Sequence, residues 1–162
     1  MKRAKSCDVA VIGAGVFGAW TAWRLRQAGL SVVLLDSHGA ANSRASSGGE
    51  SRLIRMGYGP DALYTRWSLR SLKLWKQLFR RIRRPLFHPT GVLWLANARD
   101  SYTPQNFGVL RRAGVPVERL SRVEIRKRFP QFSLADVSWA LFEPASGVLM
   151  ARQAVQDRKS VV

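Results

Sequence analysis

Three glycines and one acid near the N-terminus carry the first chemistry legible in this chain. Gly13, Gly15 and Gly18 stand in a Gly-x-Gly-x-x-Gly spacing, and Asp36 follows 18 residues after the last of them. Such a turn brings backbone N–H groups up to a diphosphate, and an acid at that distance accepts hydrogen bonds from ribose hydroxyls. Gly13 permits the sharp turn, Gly15 the approach of backbone to phosphate, and Gly18 the close contact of helix and strand. A 2′-phosphate beside Asp36 would meet like-charge repulsion, which disfavours NADP. Two arginines, Arg52 and Arg55, flank the apolar pair Leu53-Ile54. Their planar forks of donors suit carboxylates and ring carbonyls.

Other chemistries find little support. His38 reads as an exposed loop residue and His88 as a strand-entry residue, with no Cys/His cluster at metal-ligand spacing, so no metal site is expected. No Ser-centred nucleophile motif occurs, which leaves hydrolase chemistry unsupported. Cys7, the single cysteine, excludes an internal disulfide and reads as a small packing residue.

The surrounding pattern shows how these groups are positioned. Val9–Ile12 is an apolar run that predicts a parallel strand covered on both faces. A helix follows whose dipole faces the phosphates. Phe17, Ala19, Trp20, Ala22, Trp23, Leu25 and Ala28 form its apolar face, with Arg24, Arg26 and Gln27 opposite. Gly29 ends this helix, and Val32–Leu35 forms the next strand. Residues 37–49 form a loop, and residues 49–55 are extended. A long helix opens at Pro60-Asp61 and runs to about Ile82, before Pro85. A strand over 91–96, a helix over 103–113 and a strand over 115–120 come next. Ser121 then caps a short helix with Glu124 in the capping-box position, ending near Phe129-Pro130. A strand over 137–142, a turn over 143–147 and a helix from Leu149 complete the pattern, which the polar run 156–160 interrupts.

Composition bounds the class. The 162 residues are 46% hydrophobic, enough for a globular core. No apolar run approaches a membrane span, and no secretory signal follows the basic start, so a reducing cytoplasm is expected. Net charge is +17, from 27 Lys and Arg against 10 acids, concentrated at Lys2 to Lys5, Arg80 to Arg84 and Arg126 to Arg128. Arg66, Arg70, Lys73, Lys76 and Arg80 recur at helical spacing opposite Leu63, Trp67, Leu74 and Leu78, which reads as a solvated helix face. No specific nucleic-acid partner is therefore expected. On the residues alone, an NAD-linked dehydrogenase and a basic polyanion-binding module stand as alternatives to a flavin enzyme.

A longer series of segments resembles the FAD-dependent amine and amino-acid oxidases of the D-amino-acid-oxidase superfamily, on the sarcosine oxidase and N-methyltryptophan oxidase branch. It comprises residues 8–36, the run 46–55, Tyr58 with Gly59, and residues 69–75. Residues 90–93, Arg128-Phe129-Pro130 and 142–149 complete it, all in the family's order. The resemblance implies an α/β fold: a Rossmann-like FAD-binding domain with part of a mixed-sheet α+β substrate domain. Residues 1–84 would belong to the FAD domain, 85–142 to the substrate domain, and 143–162 to a return towards the FAD domain.

It further implies FAD as cofactor, touching Gly13, Gly15, Val16, Phe17, Gly18, Asp36, Ser37, Ser46, Ser47, Ser51, Arg52 and Leu53. Arg52 would be catalytic against the flavin ring, and Arg55 would bind the carboxylate of an amine or amino-acid substrate. Molecular oxygen would be the electron acceptor. Ser47 and Gly48 stand where sarcosine oxidases carry histidines, which argues against sarcosine itself as substrate. Family members are more than twice as long, so the chain is expected to be an N-terminal portion. Alone, it would bind FAD weakly, turn over little and leave one side of its sheet uncovered.

Overall fold

The structure, a computed structural model, describes residues 6–46 and 48–159. Ser47 and the basic run from Lys2 to Lys5 lie outside the described residues. The chain divides into two compact units, Met1–Arg52 with Leu149–Val162, and Leu53–Val148. The sequence reading put boundaries after residues 84 and 142. The compact units divide elsewhere because the long helix shares its packing with elements of the second unit.

In the first unit, strand β1 (Val9–Ile12) leads through the glycine turn into helix α1 (Val16–Gln27) and parallel strand β2 (Val32–Leu35). The register pairs Val9 with Val32 and Ile12 with Leu35, so both strands end side by side at the turn. Asp8 and Ser31 clip the opposite ends together, with Ser31 N–H and Oγ both donating to Asp8 Oδ2 at 2.7 and 2.9 Å. Ala19 of α1, Ala41 and Val155 of helix α5 (Ala151–Lys159) form the core.

Burial alternates along both strands, correcting the expectation of strands covered on both faces. Ile12 is 86% exposed and Leu35 52% exposed, because helical packing of this unit lies against the Val9, Val11, Val32 and Leu34 side only. Phe17 and Ala28, assigned to the buried face of α1, are exposed, as is Cys7. Phe17 projects from the first turn and Ala28 is the C-cap, both beyond the stretch where Ala19 and Ala22 pack. Helix α5 continues through Lys159, so Gln156 to Lys159 of the polar run expected to interrupt it are helical, and Ser160 lies outside the described residues.

The second unit holds two three-stranded sheets. One has the order β3 (Arg52–Ile54), β8 (Gly147–Leu149), β4 (Phe87–His88); the other has β5 (Val92–Ala96), β7 (Trp139–Glu143), β6 (Glu118–Ser121). Strand β7 pairs antiparallel with both neighbours. Helix α2 (Ala62–Ile82) and helix α3 (Tyr102–Arg112) contribute Leu72 and Leu110 to a core with Met56, Val115 and Leu141. Helix α4 (Arg122–Arg128) seats Ile125 on Leu120, Leu134 and Ala140.

Helix α2 exposes Arg66, Arg70, Lys73, Lys76 and Arg80, the solvated face read from the sequence. Its apolar side is buried only from Thr65 and Leu72 onward; Leu63 and Trp67, expected opposite the basic face, are 45% and 59% exposed. The expected strand at 115–120 begins at Glu118, because Val115 N–H donates to Leu110 C=O and Gly114 N–H to Arg111 C=O, closing α3. Strand β7 likewise starts late, since Val137 N–H is spent on the Leu134 carbonyl, and it runs on to include Glu143. The capping box at Ser121 and Glu124 forms as expected.

Candidate functional site

In the first unit, the glycine turn is built by two constraints. Gly13 adopts φ +98°, a region that excludes most side chains, and its N–H donates to Leu35 C=O at 2.7 Å. A Cβ on Gly18 would stand 1.7 Å from the Gly13 carbonyl oxygen, so only glycine lets the helix start this close to the strand end. Gly15 is the N-cap of α1 and offers no side chain to occupy the helix's first N–H groups. The first turn carries no acid that would repel an anion. These features fit a diphosphate.

Asp36 lies beside this turn. Ala14 N–H donates to Oδ2 at 2.8 Å, while Oδ1 accepts from His38 N–H at 2.8 Å and from Asn42 Nδ2 at 3.3 Å. The N–H groups of Ala14 first, then of His38, hold its carboxyl below the usual carboxylate range. A carboxylate has about four acceptor directions, so these bonds orient Asp36 and leave capacity for a sugar hydroxyl. Ser37, on the strand-to-loop bend, is exposed, as are Ser46, Ser51 and Arg52.

The loop folds Arg52 back on itself. Its Nη1 donates to Ser51 C=O at 2.8 Å and its Nη2 to Ser46 C=O, over a space that a Cβ on Gly49 would invade. Arg152 of α5, missed in the sequence, fastens this loop through Nε and Nη2 to Gly48 C=O at 3.0 and 2.7 Å.

The second unit contains Leu53, which is 50% exposed, and Arg55, which is half-buried. The Arg55 guanidinium lies over the rings of Tyr58 and Trp94, 5.1 and 5.2 Å from their centroids, and its Nε donates to Gly57 C=O at 3.3 Å. Its Nη groups form no hydrogen bond or ion pair with a described residue. The arrangement is a cation held by aromatic faces with its donor fork unspent, which suits a ligand carboxylate.

Sequence reasoning assigned Glu143 to a turn, yet it is fully buried. Its Oε2 accepts from Met56 N–H and Ser146 Oγ, both at 2.7 Å; its Oε1 accepts from Trp94 Nε1 at 2.6 Å and Gly57 N–H at 3.2 Å. Nothing local in the sequence marks it, because an acid followed by Pro144 at the end of an apolar run has the pattern of an exposed turn.

The sequence profile of a family described as FAD dependent oxidoreductase, DAO, matches residues 8–157. The chain belongs to this family. FAD, not NAD, is the cofactor that goes with it, and the glycine turn fits that group. The chain is 34% identical over 149 residues, 92% of its length, to an N-methyl-L-tryptophan oxidase of Yersinia pestis. It spans about 40% of the length of that relative.

Among solved structures it resembles NikD, described as an unusual amino acid oxidase essential for nikkomycin biosynthesis. The identity is 26% and the TM-score 0.82, over 98% of this chain and 41% of that one. The L-proline dehydrogenase of P. horikoshii shares the fold at TM-score 0.82 and 22% identity, over 97% of this chain and 42% of that one. Among the described residues, no helix is long and apolar enough to cross a membrane.

Proposed function

We propose that this chain supplies the FAD-binding turn and the substrate-carboxylate anchor of an oxidase acting on the C–N bond of a secondary amine or amino acid. The observation that carries the reading is Arg55, a half-buried guanidinium fixed against Tyr58 and Trp94 with no acid of the described residues opposite its Nη groups. A half-buried cation with its fork unspent is stabilised by a compensating anion, and a substrate carboxylate is the anion this family's chemistry provides.

Gly13 to Gly18 would hold the pyrophosphate and Asp36 the adenosine ribose. Ser37, Ser46, Ser47, Ser51 and Leu53 would line the rest of the cofactor's path. Arg52, restrained by its own loop's carbonyls, would set positive charge beside the flavin ring, where it favours the reduced form. When bound, FAD would supply a two-electron acceptor for hydride from the carbon next to nitrogen, giving an imine open to hydrolysis, and dioxygen would be the final acceptor. A cytoplasmic location accords with the exposed, unpaired Cys7.

The test is ligand binding by the chain reconstituted with FAD. N-methyl-L-tryptophan is compared with N-methyltryptamine, which lacks the carboxylate. The acid is expected to bind about 10- to 100-fold more tightly, the value of one charge-assisted bidentate contact, and Arg55→Met is expected to erase the difference. Equal binding of both by the unaltered chain would contradict the reading.

The polyanion-binding alternative has the exposed cations of α2 in its favour. It predicts steeply salt-dependent binding that survives Gly15→Trp.

A further inference from the structure

The Arg55 anchor rests on a residue with no surface open to solvent, Glu143. Trp94 offers its ring to the guanidinium and its Nε1–H to Glu143 Oε1, at 2.6 Å. The same carboxyl group binds the N–H groups of Met56 and Gly57, the two residues that follow Arg55 in the chain. One fully buried side chain therefore fixes both the backbone from which Arg55 springs and the ring on which its charge lies. Thr65 Oγ1 donates to Met56 C=O at 2.9 Å and Ser68 Oγ to Arg55 C=O at 2.7 Å, which hold the same segment from helix α2.

We propose that Glu143 is the positioning residue of the carboxylate anchor, acting on Arg55 through Trp94. This rests on the reading of Arg55 given above. The physical basis is the stiffness of a satisfied buried network. Both Glu143 oxygens are saturated by donors from three separate places: the 56–57 backbone, strand β5 and the turn after β7. With the indole N–H anchored, rotation of the Trp94 ring breaks its hydrogen bond to a fully buried carboxyl, so the ring is fixed at the height and tilt the guanidinium requires. Ser121, which caps α4 and bonds Glu124, takes no part in this network and serves as the control.

The experiment measures affinity for N-methyl-L-tryptophan and for N-methyltryptamine in the FAD-reconstituted chain, with melting temperature recorded for each variant. Trp94→Phe keeps an aromatic face but deletes the donor to Glu143. It is expected to lower the acid-over-amine preference by about 5- to 10-fold, one lost hydrogen bond's worth of order. Ser121→Ala, which removes a helix cap, is expected to lower the melting temperature and leave the preference unchanged. A purely structural role for Glu143 would move both variants' melting temperatures and neither preference. That result overturns the inference while Arg55→Met still erases the preference, so the anchor itself survives. No preference in the unaltered chain overturns both.

A second readout needs no variant. The Trp94 indole N–H resonance, assigned in the unaltered protein, is expected to shift on adding N-methyl-L-tryptophan and to stay put with N-methyltryptamine. An indole signal indifferent to both, in a chain that binds the acid, counts against the proposal.

Discussion

Arg55 and Asp36 show how much a single residue's chemistry conveys before any fold is known. Both were picked out by type and spacing, and both stand in surroundings that orient their polar ends. Asp36 is held by the N–H groups of Ala14 and His38, contacts that no spacing rule announces because they depend on how the 36–42 bend closes. Asp36→Ala should weaken FAD binding by roughly 10-fold through the lost ribose contact, measured by flavin fluorescence; unchanged affinity would remove Asp36 from the site. Glu143 was not legible, since an acid at a strand end before Pro144 carries the signature of an exposed turn. Its burial follows from long-range partners, Met56 and Gly57 on one side and Trp94 on the other, that only the folded chain assembles. Ser47 lies outside the described residues, so its place stays with the proposed cofactor path.

At the level of elements, local rules located helices well and strand ends less well. The capping box at Ser121 and the long amphipathic α2 were legible because their signals are contiguous. Strands β6 and β7 began later than the apolar runs suggested, for Val115 and Val137 donate to turn carbonyls and are lost to the ladder. Gly18→Ala should be destabilising by about 1–3 kcal/mol, as overpacking against a backbone carbonyl cannot be relieved by a rotamer change. Chemical denaturation checks this, and an unchanged midpoint would contradict the close approach.

Several carboxyls at element ends share a pH signature. Asp8 is held below its usual range by the Ser31 N–H and hydroxyl, Asp36 by Ala14 and His38, and Glu124 by the Ser121 hydroxyl and N–H. A depressed folded-state value means the unfolded chain binds protons first as pH falls. Their stabilisation is thus complete above the ordinary carboxylate range of about 4 and is lost on acidification through the lower folded values. Melting temperature should be level from about pH 7 to 5 and drop below about pH 4. Equal melting temperatures at pH 7 and 3 would show that these clips contribute nothing.

For the whole molecule, the exposed face of β1 and β2 matters most. Ile12 at 86%, Leu35 at 52% and Val33 at 39% exposure, with Phe17 at 85%, leave apolar side chains in water beside the glycine turn. Such a patch promotes self-association. The double change Val33→Thr and Leu35→Lys should raise the monomer fraction in sedimentation without lowering the melting temperature, and an unchanged fraction would clear this face. The continuous apolar run marks β1 as a strand but not as half-covered, since Val-Ala-Val-Ile carries no polar position to show the open side. The most direct test of the account is titration of the purified chain with FAD, alongside Gly15→Trp. Weak but saturable binding is expected, which ADP competes away and the bulky indole abolishes. Absence of binding, or binding indifferent to that substitution, would contradict it.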